Sequence, residues 1–409
     1  MTDLPASPAI PTPAAPSWRG NVLLLAGGCL AALLLLEAFL RVYNPLGVRI
    51  RGDRIVLPRN FRETMTNTAN RKLAPVIVFS KNSLGFRGPE PPRDFDRQLT
   101  VLAIGGSTTE CLYLSDGASW PERLGEALAP HFDHLWVNNA GLDGHSTFGH
   151  LLLLDQIVLR LRPKVVVFLT GLNDVSRELP TGREVATGRA PLLHRVARHS
   201  AIVANALDFR RHLEARELSL GYREVDLLRT PQREADRPRA QALLDRHRER
   251  SLPGYRSRMR ELVRTCRAHG IEPVLLTQPA LYGGDRDDVT GVNLRWIEVD
   301  PKQQLHGGLA WRILDEYNDV VREVGRSEGA LVVDVARELP KSSRLYYDFV
   351  HFADEGARQV GAITARALCP LLAERFPEHV RSACGPAGPA PANRERASPA
   401  ELAGQGRHE

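Results

Sequence analysis

The chain contains 409 residues, which is enough for one large domain or two domains of ordinary size. Its formal net charge of +6 is due almost wholly to arginine, and much of that arginine lies between residues 210 and 258. Acidic residues are interleaved with the basic ones throughout this stretch, as on a solvated helical surface, so the charge predicts no nucleic-acid binding.

The N-terminal part of the chain predicts a leader followed by a membrane anchor. Residues 1–20 are rich in Pro, Ala, Ser and Thr and are expected to be disordered. Residues 21–41 are almost continuously apolar, with Glu37 as the one acidic residue, and are long enough to cross a bilayer as a helix. A cleaved signal peptide is the alternative, but no small-x-small cleavage site ends the run. We therefore expect an uncleaved single-pass transmembrane helix, followed by a juxtamembrane segment at residues 42–98.

The first strongly β-like segment ends in a turn that exposes a serine. The apolar run from Thr100 to Ile104 is typical of a buried strand, and the two glycines after it let the chain turn sharply before Ser107. A serine hydroxyl is a weak nucleophile unless a base takes its proton and a third group orients that base. Much later in the chain, His351 can be that base and Asp348 the orienting acid, because one tight turn can bring the carboxylate to the far nitrogen of the imidazole.

Two further predicted strands are each followed by a loop that can supply hydrogen-bond donors. The strand at residues 134–138 precedes a polar loop that contains Gly144, and the strand at residues 164–169 precedes Asn173. Attack on an ester carbonyl develops negative charge on oxygen, and each preorganised N–H donor commonly lowers the barrier by roughly 3 kcal/mol. The backbone N–H groups of Ser107 and Gly144 and the side-chain amide of Asn173 are therefore the candidate oxyanion hole.

The spacing of the strands predicts the fold class. Further strands are predicted at residues 272–277 and 330–334, and five strands separated by helical stretches favour a parallel sheet with helices on both faces. This is a three-layer α/β/α fold, in which ligands bind at the carboxyl ends of the strands. Residues 177–255, between the third and fourth strands, are predicted to be a charged helical insertion that either caps the site or covers the surface.

These blocks, in this order, resemble the SGNH or GDSL-type hydrolase family, which is named for a serine, a glycine, an asparagine and a histidine in four sequence blocks. The matching residues, with the aspartate of the family's triad, are Ser107, Gly144, Asn173, His351 and Asp348. The first block departs from the family's commonest form, because it reads Gly-Gly-Ser-Thr in place of Gly-Asp-Ser. The resemblance implies a flavodoxin-like SGNH hydrolase fold that cleaves esters through the serine.

The resemblance also implies a domain organisation. The SGNH hydrolase domain is expected at residues 99–378, and residues 379–409, which mix Pro, Gly, Ala and charge without periodicity, are expected to be a disordered tail. The stretch from Asn82 to Glu90 is similar to the segment that leads into the domain in bacterial family members with an N-terminal anchor.

The basic residues around the anchor and the family resemblance point to opposite sides of the membrane. The five arginines between positions 41 and 59 outweigh Arg19, which by the positive-inside rule would put the domain in the cytoplasm. Anchored members of the family, however, generally present the catalytic domain outside the cytoplasmic membrane, and long domains translocate largely regardless of charge. We predict a bacterial cytoplasmic-membrane protein with a periplasmic or other extracytoplasmic catalytic domain.

Cysteine and histidine usage predicts no metal site and no cofactor. The five cysteines include no Cys-x-x-Cys pair, and the four histidines between positions 131 and 150 lack the spacing of a helical metal pair. Cys369 and Cys384 would form a disulfide in an oxidising compartment, but the sequence leaves their pairing open. His145 either lines the pocket or lies in a surface loop, whereas Asp143 and Asp174 are expected to fix loops through turn hydrogen bonds.

Together these features predict a membrane-anchored serine ester hydrolase. Its partners would be an acyl ester, either a lipid or an acetylated glycan, and the membrane through residues 21–41, with envelope proteins as further candidates. Two alternatives stay open. One is an O-acyltransferase that acts on an envelope polysaccharide with the same residues, and the other is a non-catalytic envelope protein that keeps the SGNH fold for binding.

Overall fold

The structure is a computed structural model, which describes residues 18–43, 50–51, 54–179, 199–206, 209, 224–232, 237–284, 286–301 and 304–385. The strands of this part of the chain are β1 (Ile50–Arg51), β2 (Arg54–Ile55), β3 (Phe61–Thr66), β4 (Val76–Lys81), β5 (Leu99–Gly105), β6 (Leu135–Asn139), β7 (Val165–Leu169), β8 (Glu272–Leu276), β9 (Glu298–Asp300), β10 (Leu305–His306) and β11 (Leu331–Val333). The helices are α1 (Trp18–Val42), α2 (Ser107–Glu110), α3 (Trp120–Leu128), α4 (Thr147–Leu153), α5 (Leu159–Leu161), α6 (Arg237–Arg246), α7 (Leu252–Ala268), α8 (Gly307–Glu328), α9 (Val335–Glu338) and α10 (Asp354–Arg375). Short π-helical segments, Leu154–Val158 and His247–Ser251, join α4 to α5 and α6 to α7.

Five of these strands form a parallel sheet in the order β11-β8-β7-β5-β6. Numbered along the chain, this is the flavodoxin-like order 2-1-3-4-5, with its switch point between β5 and β7. Every residue of β5 and β7 is buried, as expected of central strands that are covered on both faces, and this explains why they read as continuous apolar runs. The predicted three-layer α/β/α fold with a five-stranded parallel sheet is confirmed.

The sheet divides the apolar core into two layers. Alternate residues of a strand point to opposite faces, so Val101 and Ala103 of β5 lie in one layer and Leu102 and Ile104 in the other. The first layer, called the α3 layer here, is covered by α3 and α10, and the second, the α7 layer, is covered by α4, α7 and α8. This double packing fixes the carboxyl ends of the strands along one edge of the fold.

The contact between α3 and α10 is close. Helix α3 begins with a capping box formed by Ser119 and Glu122, and it buries Trp120 and Leu124 on one face. Gly361 of α10 lies directly against this helix, since a Cβ at that position would come within 2.9 Å of the backbone nitrogen of Leu124. The glycine therefore allows α10, which follows His351 in the chain, to pack closely against α3.

Residues 54–98, which we call the strap, lie beside strand β6. Strands β3 and β4 pair as an antiparallel hairpin. Beyond the hairpin, Arg87 and Asn139, at the end of β6, exchange two backbone hydrogen bonds of 2.9 Å. Ile77 of the strap is buried in the α3 layer and Phe86 in the α7 layer. The strap therefore passes around the edge of the sheet and packs in both halves of the core.

The predicted insertion is described in part, because residues 180–198, 207–208, 210–223 and 233–236 lie outside the described residues. Helix α6 and the start of α7 pack inside the fold, where Leu244 and Tyr255 are fully buried in the α7 layer. This end of the predicted insertion is therefore part of the helical layer that covers the sheet. Its charged residues lie on the outer face of a helical layer whose inner face is apolar.

Helix α1 is long and apolar enough to cross a membrane, and none of its apolar window is buried in the protein, although a signal sequence would share these properties. Its Glu37 carboxylate accepts hydrogen bonds of 2.7 and 3.1 Å from the N–H groups of Ala201 and Ile202. Residues 201–206 are helical. The N-terminal end of a helix favours a negative charge. Glu37 of α1 therefore binds the N-terminus of this helical segment, which belongs to the predicted insertion.

The C-terminal part of the described chain is joined to the domain by a disulfide. Cys369 of α10 is bonded to Cys384, which answers the question that the sequence leaves open. Residues 379–385, at the start of the predicted tail, also make backbone hydrogen bonds of 2.7 and 2.8 Å with the turn after α3. The rest of the predicted tail, residues 386–409, and residues 1–17 of the predicted leader lie outside the described residues.

Candidate active site

Ser107 is the first residue of α2, directly beyond the carboxyl end of β5. The two glycines before it are required by close neighbours. A Cβ on Gly105 would lie 2.7 Å from the carbonyl oxygen of Leu169, and one on Gly106 would lie 2.2 Å from Nδ2 of Asn173. A side chain at the position before the serine, such as the aspartate of the commonest family form, would therefore displace the Asn173 amide. The glycine of the Gly-Gly-Ser-Thr block leaves that amide in place.

His351 lies between Ser107 and Asp348. Its Nε2 is 2.8 Å from the Ser107 hydroxyl oxygen, and its Nδ1 is 2.7 Å from Oδ2 of Asp348. The other carboxylate oxygen of Asp348 accepts hydrogen bonds of 2.8 and 2.7 Å from the N–H groups of Val350 and His351. The tight turn at residues 348–351 thus orients the carboxylate, which in turn orients the imidazole. The structure brings these three predicted site residues together across 244 positions of sequence.

The electrostatics of this group suit a proton acceptor. Burial lowers the pKa of His351, but the charge and hydrogen bond of Asp348, together with the charge of Asp143, outweigh it and raise this pKa above its usual value. For Asp348, burial alone would raise the pKa, but the charge of His351 and its hydrogen bonds lower it instead. The carboxylate therefore stays ionised beside an imidazole whose affinity for a proton is increased.

The loops that carry Gly144 and Asn173 lie close to Gly106. Gly144 has a φ of +72°, a left-handed conformation that suits glycine in this turn. The Asn173 amide donates a hydrogen bond of 3.0 Å to the carbonyl oxygen of His145. A Cβ on Gly106 would lie 3.2 Å from that same carbonyl oxygen and 2.2 Å from Asn173 Nδ2. The loops after β6 and β7 therefore meet beside the residue that precedes Ser107.

Asp174 fixes the loop that carries the neighbouring asparagine, but through partners distant in the chain as well as by its place in the predicted turn. Its buried carboxylate accepts hydrogen bonds from the backbone N–H of Thr147 at 3.1 Å and from the Thr147 hydroxyl at 2.5 Å. Arg258 of α7 adds an ion pair of 3.3 Å to the same carboxylate. Asp174 therefore joins the loop after β7 to the N-terminus of α4 and to α7.

The structure corrects one of the two interpretations offered for His145. Its side chain is only 1% exposed, so it does not lie in a surface loop. It packs against Gly149, where a Cβ would come within 2.4 Å of His145 Nδ1. The surface interpretation was wrong because the polar loop after β6 folds back onto the start of α4.

Sequence reasoning missed several residues that contact this site. Tyr347 stacks on His351, with ring centroids 5.5 Å apart and planes 9° apart. Thr108, next to the serine, donates a hydrogen bond of 3.1 Å to Gln278 beyond β8. Arg258 supports Asp174 from α7. Apart from the position of Tyr347 beside the Asp348 block, no spacing in the sequence marks these residues, because their partners are distant in the chain.

A parallel α/β/α sheet with a serine, a histidine and an aspartate in hydrogen-bond series at its carboxyl edge is typical of hydrolases that act through a serine. The model of the GDSL-like lipase/acylhydrolase family matches residues 103–359, and the chain belongs to that family. The predicted resemblance to the SGNH or GDSL-type hydrolases is confirmed, as is the expectation of a hydrolase of the esterase and lipase class. No curated protein matches the chain.

Solved structures similar to this chain have low sequence identity to it. A lipase/acylhydrolase from Enterococcus faecalis is 16% identical with a TM-score of 0.38, and the match covers 66% of this chain and 94% of that one. Axe2, an acetylxylan esterase from Geobacillus stearothermophilus, is 17% identical with a TM-score of 0.36, and the match covers 66% of this chain and 92% of that one. At these values the likenesses carry no argument about the substrate.

Proposed function

We propose that the protein is a membrane-anchored serine ester hydrolase in which Ser107, His351 and Asp348 form the catalytic triad. The observation that carries this proposal is the pair of hydrogen bonds in series, 2.8 Å from the Ser107 hydroxyl to His351 and 2.7 Å from His351 to Asp348. Such a series lets the imidazole take the hydroxyl proton while the carboxylate holds the required tautomer.

In the proposed reaction, His351 Nε2 removes the hydroxyl proton of Ser107 while the Ser107 Oγ forms a bond to the ester carbonyl carbon. Collapse of the tetrahedral intermediate breaks the ester C–O bond, and the imidazolium gives its proton to the departing alcohol, which leaves an acyl-serine. Water then transfers a proton to His351 and attacks the acyl-serine, and return of that proton to Ser107 releases the acid. Asp348 stays ionised throughout, which agrees with its lowered pKa.

The oxyanion of the intermediate would be held by the N–H groups of Ser107 and Gly144 and by the Asn173 amide. Asn173 uses one N–H on the carbonyl of His145, and an amide nitrogen carries two, so a second donor is left for the oxyanion. The contact with His145 fixes the amide beside Gly106 before substrate arrives. This preorganisation is what makes such donors effective in catalysis.

We propose carboxylic esters as the substrate class, either lipid acyl esters or O-acetyl groups on carbohydrate. Hydrolysis of p-nitrophenyl esters of increasing chain length would test the proposal and separate the two substrates. Acetyl preference would favour carbohydrate deacetylation, and long-chain preference would favour lipid. Adding saccharides would detect acyl transfer, and transfer faster than hydrolysis would overturn the hydrolase assignment.

The residue roles would be tested with a fluorophosphonate that labels activated serines. Wild-type protein is expected to be labelled at Ser107, whereas Ser107→Ala and His351→Ala should lose labelling and turnover while they keep wild-type thermal unfolding. Turnover is expected to fall by roughly 10⁴-fold or more, as for other triads. Folded wild-type protein that hydrolyses no ester and takes no label would leave only a binding role for the fold.

We further propose that the domain organisation is the predicted one, with residues 21–41 as an uncleaved anchor and the hydrolase domain, residues 99–378, on the extracytoplasmic side. The disulfide between Cys369 and Cys384 supports this side, because disulfides persist in oxidising compartments. Intact mass of the membrane-bound protein would test the anchor, since cleavage of a signal peptide would remove Glu37. Protease accessibility in spheroplasts would test the side.

A further inference from the structure

The strap, residues 54–98, precedes the region matched by the family model, yet it contacts both halves of the proposed active site. On the nucleophile side, Arg87 is fully buried. Its guanidinium donates hydrogen bonds of 3.0, 2.5 and 2.6 Å to the carbonyl oxygens of Glu110, Cys111 and Leu114. These carbonyls lie at and beyond the C-terminal end of α2, where a helix has unsatisfied acceptors and favours a positive charge.

Helix α2 needs this support because it is short. It has four residues, whereas isolated helices below about 12 residues are marginal in water, so tertiary contacts must hold it. Its C-cap, Cys111, has a φ of +51°, a left-handed conformation that is uncommon outside glycine. Arg87 bonds to the carbonyl of this residue and to those on either side of the bend. The conformation of the turn that starts at Ser107 therefore depends on Arg87.

A second cation of the strap connects α2 to the loop of Gly144. Lys81 forms an ion pair of 3.0 Å with Glu110, and both side chains are almost completely buried. The other carboxylate oxygen of Glu110 accepts a hydrogen bond of 2.7 Å from the N–H of Asp143. Lys81 thus fixes the Glu110 carboxylate, and Glu110 in turn fixes Asp143, the residue before Gly144.

On the acid–base side, the strap contacts the residues that lead into the Asp348 turn. The Lys72 ammonium donates hydrogen bonds of 2.7 and 3.1 Å to the carbonyl oxygens of Ser343 and Tyr346. Asn70 donates a further bond of 3.4 Å to the carbonyl of Tyr347, whose ring stacks on His351. The strap therefore braces the chain at the residues immediately before the proposed acid and base.

The two sets of contacts lie on one hairpin and on the residues that directly follow it. Lys72 lies in the connection between β3 and β4, Lys81 ends β4, and Arg87 follows it. Strand β4 is also fixed beyond α2, because Val78 accepts a hydrogen bond of 2.8 Å from the N–H of Asp116. A shift of the hairpin would move both contact sets together. The strap is thus a short structural path between residues that lie 244 positions apart in sequence.

We propose that the strap positions the two halves of the active site against each other, with Arg87 and Lys72 as positioning residues. Arg87 holds the turn that carries Ser107, and Lys72 holds the loop that carries His351. Neither touches the reacting atoms, so both act on the geometry of the hydroxyl–imidazole hydrogen bond. This inference rests on the proposed triad.

The test compares strap variants of the full-length protein, measured as kcat, KM and the rate constant of fluorophosphonate labelling at Ser107. Lys72→Gln keeps a polar side chain but removes the ammonium. It should lower kcat and the labelling rate constant together, on the order of tenfold, with little change in KM, because small displacements of reacting groups cost rate. Lys72→Arg should restore most of the loss, since it can donate to the same two carbonyls. Arg87→Lys should behave like Lys72→Gln.

Arg62→Gln is the matched control, because Arg62 is a cation of the same hairpin with an exposed side chain. It should stay within about twofold of wild type in every rate. Thermal unfolding of each variant separates positioning from folding. Lys72→Gln that labels at the wild-type rate, or whose loss of rate equals its loss of folded protein, would overturn the positioning role. Absence of labelling in folded wild-type protein would instead overturn the proposed triad.

Discussion

Gly106→Ala adds a single methyl group at the position where the loop after β7 comes closest to the nucleophile turn. The added Cβ would lie 2.2 Å from Asn173 Nδ2 and 3.2 Å from the carbonyl oxygen of His145. Gly106 has a φ of −86°, which lies outside the left-handed region that favours glycine. The effect predicted for this variant is displacement of the Asn173 amide by the added methyl group.

The size of the effect follows from the displacement. Ordinary contacts of a Cβ begin near 3.4 Å, so the amide nitrogen must retreat by about 1 Å from a Cβ now placed at 2.2 Å. Asn173 is a proposed oxyanion donor, and loss of one such donor typically costs about 10²–10³-fold in kcat. We expect Gly106→Ala to lose on the order of 10²-fold in kcat with a much smaller change in KM, because the donor acts on the transition state.

A double-mutant cycle with p-nitrophenyl acetate would check the reasoning. If Gly106→Ala acts through the amide, adding it to Asn173→Ala should cost little more than Asn173→Ala alone. Gly308→Ala is the matched control, since its Cβ would meet neighbours at an ordinary 3.4 Å. A Gly106→Ala enzyme that keeps wild-type kcat, or a fully additive double variant, would refute the steric account of the Gly-Gly-Ser-Thr block.

Two further predictions concern titration and the disulfide. Asp348→Asn should move the acidic limb of kcat/KM to lower pH, because activity needs neutral His351 and the carboxylates of Asp348 and Asp143 raise its pKa against the lowering effect of burial. The pKa of His351 is raised and that of Asp348 is lowered, so their pairing should stabilise the fold most between about pH 3.9 and 6.5. This stabilisation should decline as the pH falls through the folded pKa of Asp348, and also as the pH rises through the folded pKa of His351. Equal Tm differences between wild type and variant at all pH values would contradict the pairing. Cys384→Ser removes the disulfide to Cys369, 15 positions away, and should lower the free energy of unfolding by about 3 kcal/mol in urea titrations while kcat stays unchanged. An unaltered urea midpoint would argue against the disulfide.

The central strands and four of the site blocks could be predicted because their signals are local. Strands β5 and β7 are buried on both faces and therefore appear as continuous apolar runs. Ser107 and Asn173 directly follow such runs, at glycine-bearing turns. The order of these blocks was then sufficient to indicate the family and, from it, a flavodoxin-like fold with a five-stranded parallel sheet.

The supporting contacts could not be predicted, for a physical reason. Arg87 and Lys72 bind backbone carbonyls, and every residue has a carbonyl, so no residue type marks the partner. The burial of His145 depends on how the loop after β6 folds onto α4, which polar composition does not indicate. Similarly, the many charged residues of α6 and the start of α7 gave no indication of their apolar inner face, where Leu244 and Tyr255 pack.

The sheet order explains why such contacts are needed. Strand β11 is separated from β5 by β8 and β7, and neighbouring strands lie about 4.8 Å apart, so the end of β11 is roughly 14 Å from the end of β5. The chain after β11 must therefore carry His351 back across the carboxyl edge of the sheet to reach Ser107. Two contacts hold this part of the chain. The N–H of Leu281 donates a hydrogen bond of 2.9 Å to the carbonyl oxygen of Phe349, and Lys72 of the strap donates one to the carbonyl oxygen of Ser343. A hydroxyl–imidazole distance of 2.8 Å thus depends on bracing from outside the motif blocks, and a substitution in the bracing should affect rate before it affects substrate binding.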